Sequence, residues 1–301
     1  MTDRRLSGTH RQGAAAALPA IAFITTFLVL PLGFVAVYSL LEADPYGGVE
    51  WAFTTDAYQK FLFETTLAGE LSFNPGYLQI FGRSIWIAAA ATGIAAVLAF
   101  PVAHYMAMQP AHRQNLMVFL VTIPFWTNLL IRTYCWILLL RDNGVINSAL
   151  VAGGLTSEPV TLLYTEFAIL VGLVYMYIPF MILPVYSSLI RLDQRLLEAA
   201  HDLYANRLAA LRHIVLPIAK PGLMAGSVLV FIPALGNFIA PDLLGGGKNL
   251  MIGSLVQLQF SSSRDWPFGS AMALILLAAV MTTLMLIARG RTRRALQEGL
   301  G

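Results

Sequence analysis

Six long apolar stretches, at about 14–41, 84–108, 116–140, 166–190, 218–240 and 268–288, decide what this chain can fold into. A helix needs roughly 20 apolar residues to cross about 30 Å of hydrocarbon, and each stretch is long enough. The rest of the composition agrees: 57% of the residues are hydrophobic and 12% charged, against roughly 25% charged in soluble domains, and the mean hydropathy is +0.70. The expected fold is therefore all-α, a polytopic membrane protein with six transmembrane helices. The first stretch follows Arg4, Arg5 and Arg11, as in a signal peptide, but it exceeds the roughly 7–15 apolar residues of a signal core and reads as a retained span. Five of the stretches contain proline: Pro31, Pro101, Pro124, the pair Pro179 and Pro184, and Pro233. Each removes a helical hydrogen bond, which neighbouring helices or water in a cavity must replace. That suits a bundle around a pathway, although prolines are also ordinary in membrane helices.

Lysine and arginine set the orientation. With the N-terminus inside, thirteen of them flank the inner side, including Arg113, the five from Arg191 to Lys220, and Arg289, Arg291, Arg293 and Arg294; five (Lys60, Arg83, Arg141, Lys248, Arg264) lie outside. This bias predicts both termini in the cytoplasm: a tail at 1–13, one six-span domain at 14–290 and a second tail at 291–301. The first outer loop, 42–83, is long and acidic, with Glu42, Asp44, Glu50, Asp56, Glu64 and Glu70. The formal charge of +3 is not gathered into a patch, so no nucleic-acid partner is expected. The lone Cys135 cannot form an internal disulfide, and clustered metal ligands are absent from the sequence. Gly245, Gly246, Gly247 and Lys248 are followed by Asn249, which does not complete a phosphate-binding loop. His104, His201 and His213 have no nucleophile or carboxylate constellation around them, and no catalytic residue is assigned.

The loop at about 191–217 is too polar to span. Leu196, Ala199, Ala200 and Leu203 recur at helical spacing, and Asp193 can cap the helix start. Leu208, Leu211 and Val215 predict a second short helix, which Pro217 and Pro221 would end before the chain turns into the fifth span. Periodicity alone favours an amphipathic loop lying on lipid head groups.

Glu198-Ala199-Ala200, Asp202-Leu203, Leu216-Pro217 and Pro221-Gly222 resemble the EAA signature of the binding-protein-dependent ABC importer permeases. The resemblance implies a coupling helix that docks on a cytoplasmic ATPase, with Glu198, Ala199, Ala200, Asp202, Leu203, Tyr204, Leu216 and Pro217 as the coupling residues. The family usually has glycine after Asp-Leu, where this chain has Tyr204. Because glycine tolerates positive φ and tyrosine does not, the bend is expected to move toward Asn206. Further stretches, from Pro124 to Tyr134, Leu162 to Asp193, Leu235 to Gly253 and Arg264 to Gly269, look like the spermidine/putrescine importer permeases; importers of opines, other amines and ferric iron share some of this pattern. The resemblance implies two cytoplasmic ATP-binding subunits that hold ATP and Mg, a second homologous permease, a periplasmic substrate-binding protein, a lipid bilayer around the chain in a bacterial inner membrane, and no cofactor in this chain. An ion-coupled secondary transporter would instead show inverted repeats and midspan acids.

A path for an amine calls for anions and aromatic faces. Trp126, Trp136, Tyr164, Tyr175, Tyr177 and Phe238 are the aromatic candidates, each also readable as packing or interfacial belt; Glu166 and Asp242 are the acidic ones, each also readable as a boundary carboxylate. Arg132 lies within a span, where a charge is costly. It is expected to pair with Glu166 or Asp142 in a structural or gating role, or to snorkel outward.

Overall fold

The computed structural model describes residues 19–65 and 71–298. Arg4, Arg5 and Arg11, the expected tail at 1–13, the start of the first span and Glu70 lie outside the described residues. Among those described, six helical segments are long and apolar enough to cross a membrane. The chain forms two compact units: residues up to Pro75 together with Val256 onward, and Gly76–Leu255.

In the first unit, α1 (Pro19–Tyr38) is the first span. Its side chains are almost all exposed, and it packs against the last helix, α12 (Trp266–Glu298). The expected span at 268–288 is the core of that longer helix. The acidic outer loop folds into two antiparallel hairpins, an addition to the expected all-α fold: β1 (Leu41–Ala43) with β2 (Val49–Phe53), and β3 (Phe63–Thr65) with β4 (Leu71–Phe73). The first hairpin turns at Gly47 and Gly48, whose φ of 101° and 105° only glycine adopts readily. The short helix α2 (Asp56–Gln59) lies between the hairpins, and Lys60 after it pairs with Asp265 at 2.9 Å.

The second unit contains α3 (Gly76–Ala107), α4 (Ala111–Thr122), α5 (Leu129–Leu140), α6 (Val145–Ala152), α7 (Glu166–Leu189), α8 (Gln194–Asp202), α9 (Arg207–Leu235), α10 (Ile239–Gly245) and the start of α11 (Ile252–Ser261). Its core is the three-helix contact of α3, α7 and α9. Lipid tails are as apolar as leucine, so helices in a membrane associate by close packing rather than by hydrophobic exclusion, and small residues carry the contact here. Ala91, Ala95, Ala99 and Ala103 recur every four residues on one face of α3 and are fully buried. Gly222 and Gly226 do the same on α9. A Cβ at Gly222 would stand 2.6 Å from Ser188 Oγ and 2.8 Å from Val185 Cα of α7, so the two backbones are already in contact. Met181, Ile182, Val185 and Leu189 of α7 and Val215, Ala219 and Val230 of α9 complete the cluster.

Several expected boundaries differ: α3 begins at Gly76 rather than 84, α1 ends at Tyr38 rather than 41, and two further differences concern the course of the helices. The stretch 116–140 is not one helix. After α4 the chain makes a 3-10 turn at Ile123–Trp126, becomes extended at Thr127, and restarts as α5; the span that is long enough runs over α5 and α6, Leu129–Ala152. Pro124 favours the break, and side chains compensate it: Asn128 Oδ1 accepts from the Leu130 N–H at 2.8 Å, and Thr127 Oγ1 donates to the Pro124 carbonyl at 2.9 Å. Conversely, Pro217 and Pro221 do not end a short helix, because α9 runs through both. A π turn at Leu211–Val215, where the Leu216 N–H reaches back to the Leu211 carbonyl, ends two residues before Pro217 and takes up the missing bond and the ring clash. The same device, a π turn at Thr25–Val29, precedes Pro31 in α1.

Two substitutions test this packing. Gly222→Ala forces a backbone shift and is expected to destabilise the purified protein by about 1–3 kcal/mol, read as a lower unfolding temperature. Gly33→Ala, with nothing within 4 Å of the added Cβ, is expected to leave that temperature unchanged or raise it, by at most about 1 kcal/mol of stability.

Candidate coupling surface and pathway residues

The polar loop forms a helix whose two ends are built as its residues require. Asp193 caps the start of α8, its Oδ1 accepting from the Arg195 N–H at 3.0 Å. At the other end the Ala205 N–H donates to the Ala200 carbonyl and the Tyr204 N–H to the His201 carbonyl, each at 2.9 Å. This pair of bonds closes a helix through one left-handed residue, here Tyr204 with φ 60°. The expected shift of the bend toward Asn206 is therefore wrong. Asn206 keeps φ −73° and serves as the N-cap of α9, its Oδ1 accepting from the Ala209 N–H at 2.7 Å. That capping geometry needs an extended backbone, so the strained conformation stays at Tyr204.

The apolar face expected at Leu196, Ala199, Ala200 and Leu203 turns mostly outward. Leu197 packs against the three-helix core and Ala200 is half-buried, whereas Leu196, Ala199 and Leu203 are exposed. The outward surface therefore carries Glu198, Ala199, Asp202, Leu203 and Tyr204 together, with Leu203 81% and Tyr204 98% exposed. Leu216 and Pro217 lie apart from it, beyond the π turn on α9, where with Arg212, Lys220 and Leu223 they line a shallow hollow of their own.

The pathway candidates do not gather into one site. Trp126 is 80% exposed at the break between α4 and α5, its ring 6.3 Å from that of Phe119. Tyr164 precedes α7 with φ 63°, and its ring fills the space over Gly246. Glu166, in the first turn of α7, stands 3.6 Å from Arg83, so it is not the partner of Arg132. Nε and Nη1 of Arg132 are buried without a hydrogen-bond partner, and neither expected carboxylate pairs with it. Tyr175 meets Trp136 edge-on at 5.5 Å. Asp242 is exposed in the first turn of α10, its N–H donating to the Phe238 carbonyl at 3.0 Å. The Gly245–Gly247 run closes this short helix in a left-handed turn, with a helix rather than a strand before it.

Sequence reasoning missed Asn237. It is 7% exposed in the interruption between α9 and α10, and its Nδ2 donates to the Tyr177 hydroxyl at 2.8 Å while its Oδ1 accepts from the Ala240 N–H at 2.9 Å. A lone asparagine directly after Pro233-Ala-Leu-Gly in an apolar run is the signal that marks it, since a polar group at that depth needs partners.

Residues 14–297 match the family described as binding-protein-dependent transport system inner membrane component. Among individual proteins, the chain is 37% identical over 278 residues to the spermidine/putrescine transport system permease protein PotB of Escherichia coli (strain K12), covering 92% of this chain and 96% of that protein. It is 38% identical over 277 residues to PotB of Haemophilus influenzae, 92% of each chain. Similarity extends to the inner membrane ABC transporter permease protein YdcU of Escherichia coli, 35% identical over 241 residues, 75% of this chain and 76% of that one. Of solved structures, a chain of a bacterial ABC transporter involved in the import of the acidic polysaccharide alginate superposes with a TM-score of 0.67 at 15% identity, covering 97% of this chain and 99% of that chain. A chain of a bacterial alginate ABC transporter in complex with an alginate pentasaccharide-bound periplasmic protein gives 0.69, also at 15% identity, with 98% of each covered; at that identity the likeness is one of fold. The match over nearly the whole sequence places this chain in the family of binding-protein-dependent transport system inner membrane components.

Proposed function

We propose that the chain is the membrane-spanning permease subunit of an ATP-driven importer, and that its cargo is a small polyamine such as spermidine or putrescine. The observation that carries the importer reading is the exposed end of α8. A capped helix presents two carboxylates, Glu198 and Asp202, beside the apolar Ala199, Leu203 and Tyr204 on a surface with nothing packed on it among the described residues. Such a surface suits a cleft in another protein, where small residues allow close approach and a carboxylate finds a basic partner. The polyamine assignment is supported by the relatives' names and the extent of identity to them.

In this reading residues 14–290 act as one permease domain in a bacterial inner membrane, with both termini in the cytoplasm and the loop at 191–217 as the coupling element. A periplasmic binding protein delivers the amine. Two cytoplasmic ATP-binding subunits hold ATP and Mg, hydrolyse the nucleotide and grip α8. A second homologous permease completes the path, and the pair alternates its exposed side. Trp126, Tyr164, Tyr175, Tyr177 and Phe238 offer ring faces to ammonium groups, each worth about 0.5–2 kcal/mol. Asp242 and Glu166 offer charge, and Arg132 holds a structural or gating position.

Glu198→Lys is expected to abolish ATP-dependent amine uptake with membrane insertion intact; normal uptake in inverted-vesicle or whole-cell assays would remove the coupling role. A cysteine at Tyr204 is expected to cross-link to an ATP-hydrolysing subunit in membranes, and cross-links to lipid-anchored or unrelated proteins alone would count against docking there. Tyr204→Gly relieves the left-handed strain, roughly 1–2 kcal/mol, and should raise the unfolding temperature of the purified subunit; a lowered temperature would show that the ring contributes more than the backbone costs.

A further inference from the structure

Two interruptions of the helices, one between α4 and α5 ahead of the third span and one between α9 and α10 at the end of the fifth, are joined through α7 by one chain of side chains. Phe125, in the 3-10 turn of the first interruption, has its ring 4.8 Å from that of Phe180. Phe180 lies 6.3 Å from the ring of Tyr177. The Tyr177 hydroxyl donates to the Pro233 carbonyl at 3.3 Å and accepts from Asn237 Nδ2 at 2.8 Å. Pro233 is near the end of α9, where the last carbonyls have no helical partner. Asn237 Oδ1 takes the Ala240 N–H, a free donor at the start of α10. One buried amide and one phenol thus satisfy both sides of the second interruption and fix the ring that leads to the first.

We propose that Asn237 is a positioning residue for transport: by holding the Tyr177 hydroxyl it sets Tyr177, Phe180 and Phe125 as a single aromatic wall between the two interruptions, along which the ammonium groups of the cargo pass. This rests on the amine-importer reading above. Phe125 and Phe180 are each 37% exposed, so both rings have free surface to offer, while the half-buried Tyr177 anchors them. Ring faces attract a cation without a fixed counter-charge, which favours passage over capture. Glu166, at the start of the same helix, faces Arg83 and is not part of the wall. The wall is also continuous where the backbone is not, so it spans the two places at which the surrounding helices can change direction.

The test uses the assembled transporter in proteoliposomes, with the second permease, the ATPase and the loaded receptor, and measures labelled spermidine and putrescine taken up per ATP hydrolysed. Asn237→Ser retains a cap for α10, since a serine hydroxyl accepts from a backbone N–H, but is too short to reach Tyr177. Tyr177→Phe removes the same link from the other side and keeps the ring volume. Each is expected to lower amine transported per ATP by about 2- to 30-fold, the range of one cation–ring contact, with receptor-stimulated ATP turnover unchanged and a larger loss for the triamine than for the diamine. The double variant should be no worse than the stronger single one, as for two ends of one interaction. Equal losses in ATP turnover and uptake, equal losses for both amines, or additive effects in the double variant would overturn the proposal and leave Asn237 as a helix cap. Wild-type transporter that takes up neither amine would sink the importer reading and this inference together; wild-type uptake with unaltered variants would sink the inference alone.

Discussion

Backbone polarity in hydrocarbon is the constraint from which most of this architecture follows. A main-chain N–H or carbonyl without a partner costs several kcal/mol there, so a chain that interrupts its spans must supply the missing bonds locally. The break between α4 and α5 does so with Thr127 and Asn128; the one between α9 and α10 does so with Asn237 and a tyrosine borrowed from α7. Where proline sits inside a continuous helix, the π turns ahead of Pro31 and Pro217 perform the same service by lengthening one turn.

The second constraint is proximity. The glycine pair on α9 brings its backbone against that of α7, and the alanine row on α3 is buried in the same three-helix core. That closeness is what allows a side chain on α7 to reach main-chain groups in the interruption of α9. Had the contact been made by leucines, roughly 8–10 Å between axes would leave Tyr177 farther from the Pro233 carbonyl.

Much of this was legible in the residues. Apolar length gave the number of spans, with the third displaced to Leu129–Ala152, and Asp193 marked the start of α8 because a side-chain acceptor ahead of a helical period suits a cap. The bend at Tyr204 runs against local φ preference, because the two bonds that close α8 outweigh that preference and Asn206 caps α9. The apolar periodicity of α8 marks the helix but not its orientation, because a stripe looks the same whether it packs inward or awaits another surface; here Leu196, Ala199 and Leu203 are exposed and Leu197 packs inward. The assignment of Arg132 to a carboxylate failed for a related reason: charge complementarity does not say which residues the fold brings near, and Arg83 reached Glu166 first. Hairpins in the outer loop left only two glycines as a trace.

The unbroken course of α9 has a mechanical consequence. Its 29 residues from Arg207 to Leu235 span about 44 Å at 1.5 Å per residue, beginning at the cap beside Tyr204 and ending at the Asn237 interruption. A rod of that length, pivoting near its middle where Gly222 rests on α7, moves each tip by roughly 2 Å for about 5° of tilt. Small angular displacements delivered at the polar end therefore arrive at the far end as distances comparable to a hydrogen bond, and in the opposite direction.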